Sequence, residues 1–218
     1  MTSATASEVL FLHGMGDGPQ LWDEQRDLLP AGWSSAAPDL MAGPRADGAP
    51  LRLERAVDDV VDALGERSAP PVHLCGHSMG AMIALAAALR APERVAGLVL
   101  CGGQVRPPPA AMAAQTWLLR VLPASTIAPA GWSRREVLDA HREVAAFDAR
   151  GRLGEIGSPA LVLCGAGDRA NRPAASALAA GIPGARLQII RGAGHRVPAD
   201  RPTAFARALQ EHLGAASG

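Results

Sequence analysis

The chain alternates between short, unbroken apolar runs and longer stretches in which apolar residues recur every three or four positions. Unbroken runs fit strands covered on both faces, where no side chain has to meet water. They predict strands at Val9–His13, Ser34–Pro38, Val72–Cys75, Ala96–Cys101, Leu161–Cys164 and Leu187–Ile190. The spaced pattern predicts helices. Leu53, Ala56, Val57, Val60, Val61 and Leu64 share one helical face, with Glu54, Arg55, Asp58, Asp59 and Asp62 on the other. An Ala-rich helix should run from Ala81 to Arg90. A last helix should start near Pro202 and turn Phe205, Leu209 and Leu213 inward. This order of elements reads as an α/β fold: a mostly parallel sheet of about six strands with helices on both faces.

One region breaks the alternation. About fifty residues separate the Cys101 strand from the Leu161 strand, more than a crossover helix needs. The stretch from Gln104 to Arg135 is rich in Pro and Ala, and Trp117, Leu118, Leu119, Val121 and Leu122 concentrate apolar surface within it. It reads as a small helical insertion over 104–135, with a core made of 1–103 and 136–218 and a crossover helix around Arg134–Arg150. An ordinary crossover with a long loop is the alternative.

Composition narrows the class. A chain of 218 residues with 48% apolar content can bury one sizeable core. Its formal net charge is zero and it has no basic stripe, which argues against nucleic acid as partner. No apolar run is long enough to span a membrane. Met1–Ser7 lacks the apolar core of a signal peptide. Cys75, Cys101 and Cys164 lie in or at the ends of predicted buried strands, where Cys packs as a small hydrophobe. Their odd number and spacing suit neither a disulfide framework nor a zinc site, and a cytoplasmic location fits best. A reactive thiol at Cys101 or Cys164 is the alternative to packing.

Candidate chemistry centres on Gly76-His77-Ser78-Met79-Gly80, which joins a predicted strand directly to a predicted helix. Such a strand–turn–helix lifts a serine hydroxyl clear of the sheet. Five residues alone also occur by chance at ordinary turns, so the rest of the chain must carry the reading. A serine hydroxyl needs a base to take its proton and an acid to orient that base. After this kind of elbow the expected order is serine, acid, histidine. The Leu161 strand empties into Gly165-Ala166-Gly167-Asp168, and the Leu187 strand into Arg191-Gly192-Ala193-Gly194-His195. Asp168 and His195 therefore become the candidate acid and base. Asp148 and Asp200 are alternatives for the acid, though neither directly follows a strand. The backbone N–H of Met79 and that of Met15, in the loop after the first strand, are candidates for an oxyanion hole. His13 and His77 read as turn histidines, and no function is expected of His73, His141 or His212. Gly14, Gly16 and Gly18 follow a strand, but the spacing does not match a dinucleotide loop.

With these residues assembled, the chain resembles the α/β-hydrolase superfamily. The resemblance rests on "VLFLHGMGDG", "LCGHSMGAMIALAAALRAPERVAGLVLCGG", "PALVLCGAGD" and "IIRGAGH", which together span most of the sequence. It implies catalysis without a cofactor or metal, and a cap inserted where the 104–135 segment lies. The family usually has two further strands before the His-Gly strand, so six strands rather than eight are expected. A cap this short implies a shallow pocket with apolar walls from Trp117, Leu118, Met15, Met79 and Trp132. The stretch "PDLMAGPRADG" stands where the family often has a Gly-x-Gly-x-Ser turn.

The expected activity is hydrolysis of a small ester or acyl substrate through an acyl-enzyme, by a monomer or homodimer. A histidine base must be neutral to act, so activity should fall below about pH 6–7. Thioesterase, lactonase, carbon–carbon hydrolase, lyase and perhydrolase chemistry would use the same residues. A small-molecule binding protein with little turnover is the rival from another class.

Overall fold

A computed structural model describes residues 7–65, 70–128 and 131–216. Six strands form one parallel sheet: β1 (Glu8–Leu12), β2 (Ser34–Ala36), β3 (Val72–His77), β4 (Val95–Cys101), β5 (Ala160–Gly165) and β6 (Arg186–Ile190), in spatial order β2-β1-β3-β4-β5-β6. All six predicted strands are present. The chain runs outward from β1 to β2, then crosses back to lay β3 on the other side of β1. In an open α/β sheet that reversal leaves a crevice beyond the carboxyl ends of β1 and β3, which is where such sheets bind ligands.

Side-chain alternation splits the core into two layers. Leu10, Leu12, Leu74, Leu98, Leu100 and Val162 point to one face. There they meet α3 (Leu53–Ala63), α4 (Met79–Arg90), α7 (Arg134–Ala146) and α8 (Arg172–Gly181). Val9, Phe11, Cys75, Val99, Leu161 and Leu163 point to the other face, against Trp22 and the Phe205, Leu209 and Leu213 stripe of α10 (Pro202–Ala216). Period-two alternation with both faces buried is why these strands read as unbroken apolar runs. β6 departs from that expectation. It is an edge strand, and of its five residues only Ile190 is buried. The predicted signal-peptide test falls mainly on residues 1–6, which lie outside the described residues. No described helix is long and apolar enough to cross a membrane.

Short helices α1 (Asp23–Asp27), α2 (Ala42–Asp47) and α9 (Val197–Asp200) occupy connections on the periphery. Between β4 and β5 the chain forms α5 (Pro109–Val121) and α6 (Ala124–Ile127) before α7. The α7 helix opens with a capping box: Ser133 accepts from the Glu136 N–H at 3.2 Å, and Glu136 accepts from the Ser133 N–H at 2.6 Å. That fixes its first residue at Arg134, so the expected boundary at 135/136 falls inside the first turn of the helix.

On the second face, His73 of β3 and His212 of α10 both pack against the space that a Cβ on Gly97 would fill. His73 Nδ1 and His212 Nε2 are buried without a hydrogen-bond partner among the described residues. Burial lowers both imidazoles to about 4, with His212 adding to the effect on His73 and Arg186 to that on His212. An unfolded chain would bind these protons near pH 6.5. Between pH 6.5 and 4 the unfolded state therefore holds more protons, and stability falls as the pH falls through that window. Each histidine should contribute a loss on the order of 3 kcal/mol, most of it incurred by about pH 4. Urea unfolding at pH 7, 5 and 4 would measure it. A His212→Gln variant should show a shallower loss over the same range; an unchanged slope would count against the assignment.

Candidate active site

The elbow after β3 is built by close approach. Ser78 has φ 53° and ψ −114°, and among the described residues it alone has a positive φ without being glycine. Such a conformation costs about 1–3 kcal/mol and persists only where the surroundings enforce it. Here α4 enforces it. Nine of its twelve residues are buried, and its first turn crosses directly over the end of β1. A Cβ on Gly80 would collide with the Leu12 carbonyl, so only glycine lets the helix lie that close. The Ser78 N–H donates to the Cys101 carbonyl at 2.8 Å, which ties the elbow to the exit of β4.

The loops after β5 and β6 are laced together. Ala166 N–H donates to the Ile190 carbonyl and Gly167 N–H to the Ala193 carbonyl, both at 2.9 Å. This brings Asp168 and His195 into one line with the serine. His195 Nε2 lies 3.0 Å from Ser78 Oγ, and His195 Nδ1 lies 2.7 Å from Asp168 Oδ2. The Asp168 side chain is 6% exposed and the His195 ring 39%, so the carboxylate is shielded while the imidazole opens onto the cleft. Gly102 backs the ring: a Cβ there would stand 2.9 Å from His195 Cε1, and its φ of 63° suits glycine. Asp200 serves the same loop differently, accepting the Gly194 N–H at 2.7 Å. Asp148 pairs with Arg150 at 2.7 Å. Neither alternative acid reaches His195.

A cleft of about 460 Å³ opens above Ser78, lined by Met15, Gly16, Asp17, Gln20, His77, Ser78, His195 and Arg196. Met15 lies in its wall, and Met79 begins α4 beside Ser78. The expected apolar walls differ from this lining. Trp117 and Leu118 point outward at 63% and 45% exposure, because α5 buries only Leu119. Trp132 is buried behind the β1 loop, where its Nε1–H donates to the Asp17 carbonyl at 3.3 Å and Arg45 covers its ring. Trp117, Leu118 and Trp132 thus lie outside the cleft, and most of its lining is polar.

Sequence reasoning missed several of these polar groups. The Asp17 carboxylate sits between the Arg196 guanidinium at 2.6 Å and His77 Nδ1 at 3.6 Å. Burial pushes its carboxyl up, but His77 and Arg196 outweigh burial and hold it below the ordinary value. His77 also contacts the backbone carbonyl of His195 through Nε2 at 3.0 Å, and the two rings lie 4.9 Å apart. Asp17, His77 and Arg196 therefore link the loop after β1 to the loop that carries His195. His13 closes the other side of the β1 loop. Its Nδ1 meets the Gly14 carbonyl at 2.9 Å, and its Nε2 accepts the Leu40 N–H at 3.0 Å. Asn171 donates to both Asp168 oxygens, at 2.8 and 2.9 Å. The three cysteines are buried. Burial raises each thiol, Cys164 to about 11, which leaves them in the packing role. Among the described residues no group of three or more His, Cys, Asp or Glu side chains could hold a metal ion.

Known proteins agree with this architecture. A hydrolase for 2-hydroxy-6-oxononadienedioate and 2-hydroxy-6-oxononatrienedioate from Cupriavidus pinatubonensis is 29% identical over 98% of this chain and 89% of its own. A pimeloyl-[acyl-carrier protein] methyl ester esterase from Aromatoleum aromaticum is 38% identical over 44% of this chain and 36% of its own. Among solved structures, a thermophilic esterase from Thermogutta terrifontis superposes with a TM-score of 0.82. It shares 24% identity and covers 98% of this chain and 92% of its own, a likeness of fold. The model of the alpha/beta hydrolase family matches residues 9–208, and the chain belongs to that family.

Proposed function

We propose that this protein is a serine hydrolase that cleaves small, polar or short-chain esters through an acyl-enzyme. The observation that carries the reading is the unbroken line Ser78 Oγ–His195 Nε2–His195 Nδ1–Asp168 at 3.0 and 2.7 Å. For Ser78 to donate its proton, Nε2 must be unprotonated. The ring proton then lies on Nδ1 and is donated to Asp168. As Ser78 Oγ bonds to the substrate carbonyl carbon, its proton passes to His195 and the carbonyl π pair moves onto oxygen. The Asp168 carboxylate steadies the imidazolium. The N–H groups of Met15 and Met79 hold the oxyanion, aided by the positive end of α4. His195 gives its proton to the leaving alcohol, the acyl group stays on Ser78, and water activated by His195 releases it.

The nature of the lining supports a short or polar substrate. Asp17, Gln20, His77 and Arg196 make the lining polar, and a long acyl chain would strip water from them without returning a hydrogen bond. In this reading 104–135 is a short cap whose apolar face lies away from the reacting bond. A second reading, hydrolysis of a carbon–carbon bond beside a carbonyl, is favoured by the near full-length match to the Cupriavidus hydrolase. The same nucleophile, base and oxyanion site would serve it.

Hydrolysis of p-nitrophenyl esters from acetate to palmitate is the test. Turnover should be highest at acetate or butyrate and should fall by roughly 10⁴-fold or more in Ser78→Ala. A folded protein that turns over none of these esters but cleaves a vinylogous 1,5-diketone would move the assignment to carbon–carbon hydrolysis. The cap side chains make a separate prediction. Trp117→Ala should leave kcat/KM for the acetate ester within about twofold of the parent, as expected of an exposed side chain outside the cleft. A loss of tenfold or more would bring the cap back into the substrate site.

A further inference from the structure

We propose that Asn171, braced by Gln104, is a positioning residue that holds the Asp168 carboxylate in place for His195. The inference rests on the serine-hydrolase reading above. Asn171 occupies the N-cap of α8, a position where asparagine ordinarily accepts a hydrogen bond from the first turn of its own helix. It makes no such bond. Its amide nitrogen instead donates to both oxygens of Asp168, at 2.8 and 2.9 Å. Its amide oxygen accepts from Gln104 Nε2, a residue 67 positions away at the root of the β4–β5 insertion. That partner fixes which way the amide faces, since the flipped amide would press its oxygen against a carboxylate.

The Asp168 side chain is nearly enclosed, and a buried carboxylate needs donors. The donors found for it among the described residues are His195 Nδ1 and Asn171 Nδ2. Asn171 Nδ2 also lies 3.1 Å from His195 Nδ1. With a proton on Nδ1 already directed at Asp168, that contact is between two donors and is packing, not a bond. Asn171 therefore acts on His195 only through the carboxylate. Gln104 leaves the sheet just after β4, Asn171 and Asp168 after β5, and His195 after β6. The amide pair sets the acid relative to all three exits, so that it faces the imidazolium without searching for it.

Three variants and one spectrum test this. Asn171→Ala should lower kcat by about 10–100-fold with KM nearly unchanged, the range expected for losing a hydrogen bond to a charged group. Its Tm should fall by about a few degrees, since the enclosed carboxylate loses a donor although no cap bond is lost. Asn171→Asp keeps the shape but replaces the donors with a second carboxylate. It should be worse than Asn171→Ala at alkaline pH and recover in part as the pH falls and the two carboxylates share a proton. Gln104→Ala should give a smaller loss of kcat. In the parent, the His195 Nδ1 proton should give a far-downfield NMR signal, and in Asn171→Ala that signal should weaken or move upfield. This readout does not depend on turnover, so it separates the proposal from the ester assignment, which Ser78→Ala tests. An unchanged downfield proton in Asn171→Ala, or an Asn171→Asp pH profile that overlays the parent's, would overturn it.

Discussion

The contact between the first turn of α4 and the end of β1 governs the rest of the molecule. The Gly80 backbone rests against the Leu12 carbonyl with no room for a methyl group. That contact makes the turn at Ser78 abrupt, and the abruptness forces Ser78 to φ 53°. A cost of about 1–3 kcal/mol at one residue is small beside the burial of α4, where a single fully buried Leu or Met contributes roughly 1.5–3 kcal/mol. Met79, Met82, Ile83 and Leu85 are all essentially inaccessible to solvent. The strain is thus held by the most deeply packed helix in the fold, and the hydroxyl it presents has little freedom to relax.

Around that fixed point, polar groups are arranged in two linked sets. One runs from Ser78 through His195 to Asp168 and Asn171. The other runs from the β1 loop through Asp17 to Arg196, with His77 beside it contacting the His195 carbonyl. His195 belongs to both, by its ring in the first and its backbone in the second. The β1 loop is therefore tied to the backbone of His195 through Asp17, His77 and Arg196. This explains why a loop that carries no reacting side chain is pinned from both sides, by His13 through Leu40 and by Trp132 through the Asp17 carbonyl.

The positions of the six strands and the Ser78, Asp168, His195 line were legible in the sequence, the latter because each of these residues follows an apolar run within a few small residues. The interior strands carry apolar side chains on both faces, and that pattern survives in one dimension. It misleads at β6, whose Leu187–Ile190 run looks like the others although Leu187 and Ile189 remain exposed at the sheet edge. Which strand ends the sheet is a property of topology, not of the local pattern. Trp117 and Leu118 mislead for a related reason. Large apolar residues near a site suggest a pocket wall, but a helix that buries a single residue turns them to solvent. Asn171, Asp17 and Arg196 were not legible, because in Gly- and Pro-rich loops such residues resemble ordinary turn and cap formers. Their partners come from other strand exits, and Asp17 and Arg196 are 179 positions apart.

The Gln104–Asn171 bond places a seam in the fold. Beyond it, α5 buries only Leu119 and is the stretch least tied to the strands that lead to Ser78, Asp168 and His195, whereas Trp132 holds the β1 loop through the Asp17 carbonyl. Gln104 itself stands on the core side of that seam, since its amide reaches the loop after β5. A lineage, or a designer, that exchanges α5 would cut after Gln104 and rejoin before Trp132. Cutting one residue earlier would carry the brace away with the insert.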